Sequence, residues 1–155
     1  MSSTRLFVGL TIAILGFGIS NTIHAAPPIA RQLIVPGEDR FSPFAITIFS
    51  GQSVQWVNLD TDDHTVVSND FFNTAGHKGT NVLLKGTDSN GGVPGTFTLH
   101  FSHPGTFVYY CRFHAHLDNF HQPAAPGPDG GIQDQNGNFG TPMNGIITVL
   151  PGPGL

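Results

Sequence analysis

The chain has 155 residues and a formal net charge of −4, with a single cysteine. That length suits one domain with a real hydrophobic core. The mild acidic excess, without any basic run, argues against nucleic acid and anionic membrane surfaces as partners.

Residues 1–26, MSSTRLFVGLTIAILGFGISNTIHAA, read as a secretory signal peptide. Arg5 supplies the positive start, Leu6 to Ile19 the apolar stretch, and Ile23-His24-Ala25 an acceptable cleavage site. The apolar stretch is shorter than the roughly 20 residues a membrane helix needs, so cleavage is expected, with retention as an N-terminal anchor as the alternative. Export to the periplasm or the extracellular space follows. Without this segment, five Lys/Arg against ten Asp/Glu leave a charge of −5, which suits a soluble periplasmic or extracellular protein, and a monomer is expected. Residues 27–155 are expected to form one domain with no membrane insertion.

The mature chain shows strands and no helix. FAITIFS (44–50) and SVQWVNL (53–59) are β-branched and aromatic, with Gly51-Gln52 as the turn between them. HTVVS (64–68) follows the polar corner DTDD, and Asn81 to Lys85 reads as a weak edge strand among Gly-, Asn- and Thr-rich loops. TFTLHF (96–101) alternates strictly, which turns Phe97, Leu99 and Phe101 inward and Thr98 and His100 outward. TFVYYC (106–111) and GIITVL (145–150) complete the set. Short strands separated by Gly/Pro turns predict an all-β sandwich. Residues 117–142, with four prolines and five glycines, read as one long inserted loop before the last strand. Loops of that length are uncommon in compact domains.

The alternation of TFVYYC places Phe107, Tyr109 and Cys111 on the core side, with Cys111 at the strand end and His114 and His116 just beyond. A free cysteine in such a place is often a small hydrophobe, and an intermolecular disulfide is the other plain alternative. Neither accounts for the neighbouring imidazoles. A thiolate with two imidazoles and a weak thioether is the donor set of a copper electron-transfer site. The candidate second imidazole is His64, at the start of a strand, and the candidate thioether is Met143, which directly precedes the last strand.

GQSVQWVNLDTDDHTV, PGTFVYYCRFH and MNGIITVLP, in this order, resemble the cupredoxins, the plastocyanin-like blue copper proteins. The resemblance spans residues 31–151 apart from the long loop. It implies an eight-stranded Greek-key β-sandwich or barrel holding one copper ion near one pole. The implied ligands are His64, Cys111, His114 and Met143. Thr65 stands where the family's backbone commonly bonds the cysteine sulfur. The ending MNGIITVLP also resembles the copper domains of nitrite reductases, but Tyr110 occupies the position whose histidine would there feed a catalytic copper. Two departures stand out: 28 residues separate His114 from Met143, and His116 offers an alternative imidazole five positions after the cysteine.

The other histidines read as surface residues: His77 in a polar loop, His100 outward, His103 in a turn and His121 in the long loop. The acidic run Asp60, Asp62, Asp63 reads as a solvated corner with Asx-type turns, in preference to a patch that steers a redox partner. The function this implies is single-electron transfer by Cu(II)/Cu(I) cycling with a redox protein partner, and no enzymatic activity. A copper carrier or chaperone and a small copper oxidoreductase are the alternatives. A single non-initiator methionine, and the absence of an acid–base pair beside the motif, weigh against them.

Overall fold

The computed structural model describes residues 29–125 and 141–152. The expected signal peptide at 1–26, and residues 126–140 of the expected inserted loop, lie outside the described residues.

Eleven strands and no helix are present among the described residues. They are β1 (Ala30–Val35), β2 (Arg40–Ser42), β3 (Ala45–Phe49), β4 (Gln52–Asn58), β5 (His64–Ser68), β6 (Asn81–Leu84), β7 (Gly95–Phe101), β8 (Gly105–Tyr110), β9 (His116–Leu117), β10 (Pro123–Ala124) and β11 (Asn144–Leu150). One sheet has the order β2-β1-β4-β7 and the other β3-β11-β8-β5-β6. Both are mixed: β1 runs parallel to β4 and β3 parallel to β11, while the remaining pairs are antiparallel. The turn between β3 and β4 passes the chain from one sheet to the other. There Gly51 takes a φ of 91°, a left-handed conformation that costs glycine little.

The alternating strands read from the sequence are in place, and their inner faces meet. Trp56, Phe101, Phe107, Tyr109, Ile147 and Val54 are buried between the sheets. Phe97 stacks on Trp56, whose ring also meets those of Phe107 and Tyr109 edge-on. Aromatic pairs of this kind add about 0.5–1.5 kcal/mol beyond the area they bury. The register pairs Tyr109 with Gly145, and a Cβ at Gly145 would collide with the Tyr109 hydroxyl. This glycine is there for close approach, and it lets the last strand lie flat beside the strand that leads to the cysteine.

Two features differ from the sequence reading. The N-terminal segment contributes two strands, β1 and β2, joined by a turn at residues 36–39 with Gly37 at φ 67° and Asp39 at φ 44°. The start of the inserted segment is not structureless either, since β9 and β10 pair as a two-rung hairpin. That hairpin is fastened to the body of the protein: Asn69 donates from its side-chain amide to the carbonyl of His121 at 2.7 Å, and Phe71 stacks on the His121 ring.

Candidate metal centre

At one pole the chain brings together residues far apart in sequence. Strand β8 ends at Tyr110, and its alternation carries Cys111 inward, fully buried. The chain then turns, with the His114 amide donating to the Cys111 carbonyl at 3.1 Å. Met143 closes this turn from the other side. The Cys111 amide donates to the Met143 carbonyl at 2.9 Å, and the Met143 amide to the His114 carbonyl at 3.2 Å. The first rung of β8 with β11, Tyr110 opposite Asn144, continues the same ladder. Met143 itself is 1 % exposed and packs in the core cluster with Cys111.

His64 arrives on the adjacent strand β5, fully buried at its first position. Thr65 stitches β5 to the cysteine turn. Its amide donates to Cys111 Sγ at 3.3 Å, its hydroxyl lies 3.6 Å from the same sulfur, and the Arg112 amide donates to that hydroxyl at 2.9 Å.

The donor atoms converge on one point. Cys111 Sγ lies 3.8 Å from His64 Nδ1 and 3.6 Å from His114 Nδ1, and the three donors lie within 4.8 Å of one another. A first-row metal ion bound about 2.0–2.3 Å from imidazole nitrogen and thiolate would separate such donors by roughly 3.5–3.7 Å at tetrahedral to trigonal angles. The sulfur is chemically ready. Burial opposes the Cys111 thiolate, but hydrogen bonds from His114, His64, Thr65 and the Phe113 amide outweigh it, lowering the thiol to about 5. For His64, burial disfavours the charged ring, yet Cys111, Asp60 and Asp39 together raise its pKa. A soft thiolate and two imidazoles suit copper, and Met143, whose backbone is bonded to Cys111 and His114, brings a buried thioether to the same turn.

The other candidates fall elsewhere. His116 is exposed on β9, paired across the hairpin with Ala124, and it is not among the clustered donors. His121 is engaged with Phe71 and Asn69. His77 bonds the carbonyl of His100 at 3.0 Å, while His100 and His103 are exposed.

The acidic corner needs a correction. It contains an Asx turn, with the Asp60 amide donating to the Asn58 side chain at 3.0 Å. But Asp60 is not solvated: it is 5 % exposed, and its Oδ2 lies 3.2 Å from His64 Nε2. Asp39, on the β1–β2 turn, places its two carboxylate oxygens 3.6 Å from His64 Nε2 and 3.9 Å from His114 Nε2. The sequence reading did not single out Asp39, because nothing local to it signals that the turn lies over the two imidazoles.

The sequence model of the copper binding proteins, plastocyanin/azurin family, matches residues 35–118. The chain belongs to this family. Copper is its cofactor, and the family's chemistry is copper-based electron transfer. The match takes in His64, Cys111 and His114 and stops before Met143, beyond the insertion. Among solved structures, the chain is similar to a purple cupredoxin from Nitrosopumilus maritimus, with 22 % identity over 77 % of this chain and 98 % of that one, at a TM-score of 0.44. It is similar also to amicyanin from Paracoccus versutus (16 % identity, 78 % and 80 % covered, TM-score 0.47). A Cu(I) amicyanin mutant gives 16 % identity, 81 % and 85 % coverage and a TM-score of 0.48.

Proposed function

We propose that this cupredoxin is an exported type 1 copper protein that carries single electrons between protein partners. His64 Nδ1, Cys111 Sγ and His114 Nδ1 would hold one copper, with the Met143 thioether as a further weak donor. The observation that supports this most directly is the placement of both Nδ1 atoms, at 3.8 and 3.6 Å, against a single buried sulfur. Residues 27–155 act as one domain, with 117–142 as an insertion into it.

The bound copper supplies a one-electron Cu(II)/Cu(I) couple. The chain supplies a site that moves little between the two states. Thr65 fixes the sulfur through its amide, the β5–β8 ladder fixes His64 relative to Cys111, and the Met143 backbone holds the Cys111–His114 turn at both ends. Cys111, His64 and Met143 exclude water, while the His114 side chain is 20 % exposed. That ring edge is the route by which an electron leaves toward a redox partner. A carrier or chaperone that hands over the ion itself would need more accessible donors. The donor and acceptor belong to the compartment outside the cytoplasm, and the protein works as a monomer without a substrate of its own.

The test is optical and paramagnetic. Protein loaded with Cu(II) is expected to show an intense thiolate-to-copper charge-transfer band and a type 1 electron paramagnetic resonance spectrum, both lost in Cys111→Ser. Copper binding without a strong visible band would overturn the electron-transfer reading.

A further inference from the structure

The two imidazoles are held from behind as well as from the front. Nδ1 of each ring faces Cys111, so Nε2 faces away, and on that side stand the carboxylates of Asp60, expected from sequence to be solvated, and of Asp39. Asp60 is the better fixed. Its Oδ1 accepts the Thr61 amide at 2.8 Å and the Gly37 amide at 3.3 Å, which leaves Oδ2 aimed at His64 Nε2, 3.2 Å away, in a buried setting. Asp39 sits on the same turn as Gly37 and spans both rings, one oxygen toward each Nε2. Asp39 from the β1–β2 turn and Asp60 from the connection between β4 and β5 thus stand together behind the imidazoles.

We infer that Asp60 is a positioning residue that fixes the His64 ring, and that Asp60 and Asp39 together, as carboxylates behind the imidazoles, hold the copper couple toward Cu(II). This rests on the copper reading of the site given above. A carboxylate that accepts Nε2–H keeps that proton on the distal nitrogen, so Nδ1 presents its lone pair to the metal. It also makes the ring a stronger donor, and outer partners of this kind change metal affinity by about 10–100-fold when removed. Cu(II) carries one more positive charge than Cu(I), so two anions behind the ligands favour the oxidised ion. The effect is strong for Asp60 because the pair is buried and weakly screened by solvent. Asp39, 3.6 and 3.9 Å from the two Nε2 atoms, lies beyond hydrogen-bond distance and contributes negative charge near both rings, whose centroids are 4.9 Å apart.

The experiment compares Asp39→Asn, Asp60→Asn and, as a control, Asp62→Asn in the full copper-loaded protein. Asp62 is exposed and lies in the same corner, so its removal changes local charge without touching an imidazole. Asparagine preserves shape, and it tolerates the left-handed backbone at position 39. The expected result is a blue site in all four proteins, with the Cu(II):Cu(I) affinity ratio falling at least tenfold in each of the first two variants. A tenfold change is a rise of about 59 mV for a one-electron couple, and Asp62→Asn should stay near wild type. Independently, nitrogen-15 NMR of wild-type Cu(I) protein should show a slowly exchanging Nε2–H on His64. That measurement does not depend on either variant folding. Potentials for Asp39→Asn and Asp60→Asn equal to that of Asp62→Asn, or a His64 Nε2–H that exchanges as fast as a solvent-exposed ring N–H, would overturn the inference while leaving the blue site intact. A wild-type protein with no blue band would instead remove the copper reading, and this inference with it.

Discussion

The Cys111 amide donates to the Met143 carbonyl at 2.9 Å, across 31 intervening residues. With the return bond from the Met143 amide to His114, this makes the insertion an excursion whose two ends meet. The position of Met143 is set by the start of β11 and by the cysteine turn, and the path of the insertion does not determine it. Extending a closed loop is also inexpensive, at about 0.6 kcal/mol per doubling of length. Replacing residues 118–141 with a short Gly-containing turn is therefore expected to keep the visible spectrum of copper-loaded protein unchanged. Loss of the blue band in a folded deletion variant would show that the insertion builds part of the site.

Met143→Leu tests the same relationship from the metal side. Leucine preserves the apolar volume of a side chain that is 1 % exposed, so the fold should be retained at a cost below about 1.5 kcal/mol. In the proposed site a weakly bound thioether tunes the couple, and replacing it is expected to raise the reduction potential. A potential equal to wild type in redox titration would mean that Met143 packs beside copper without touching it.

His114 and His116 give a direct contrast. His114 Nδ1 is 3.6 Å from Cys111 Sγ, whereas His116 is exposed on the hairpin. His116→Ala is expected to leave the charge-transfer band in place. His114→Gly is expected to lose it and to recover it when imidazole is added. The reverse pattern would move the equatorial ligand to His116.

Much of this was legible in the sequence. The inward set Phe97, Leu99, Phe101, Phe107, Tyr109 and Cys111 follows from period-2 alternation, and that alternation is strong because one face of each strand packs against the other sheet. β9 and β10, at two residues each, are too short to have a period, and their pairing depends on Asn69 and Phe71 from another part of the chain. The corner at Asp60 was misjudged for a related reason. An aspartate among aspartates looks solvated until the β1–β2 turn, about twenty residues earlier, is known to cover it through the bond from Gly37. Local pattern reports which way a strand faces. It does not report which distant turn lies across a site.

The protonation state of the metal-free cysteine provides the last prediction. The thiol is lowered to about 5: burial works against the thiolate, but donors from His114, His64, Thr65 and Phe113 more than offset it. A group whose folded pKa lies below its unfolded one adds stability in full above the unfolded value. That contribution declines as pH falls and is gone below the folded value. For Cys111 the window runs from the ordinary thiol range down to about 5. His64 has the opposite sign, because its pKa is raised: its contribution is full below the unfolded value and disappears as pH rises through the folded one. Around neutral pH the metal-free site therefore holds a thiolate stabilised by its neighbours, and copper need not displace a thiol proton to bind. Ultraviolet thiolate absorbance of the metal-free protein should titrate with a midpoint near 5. Thr65→Val removes the hydroxyl that lies by the sulfur and accepts from the Arg112 amide, so the midpoint should rise. Leaving that amide unpaired should also cost about 1–3 kcal/mol of stability. A wild-type midpoint in the ordinary thiol range would mean that the imidazoles do not hold the sulfur as a thiolate before the metal arrives.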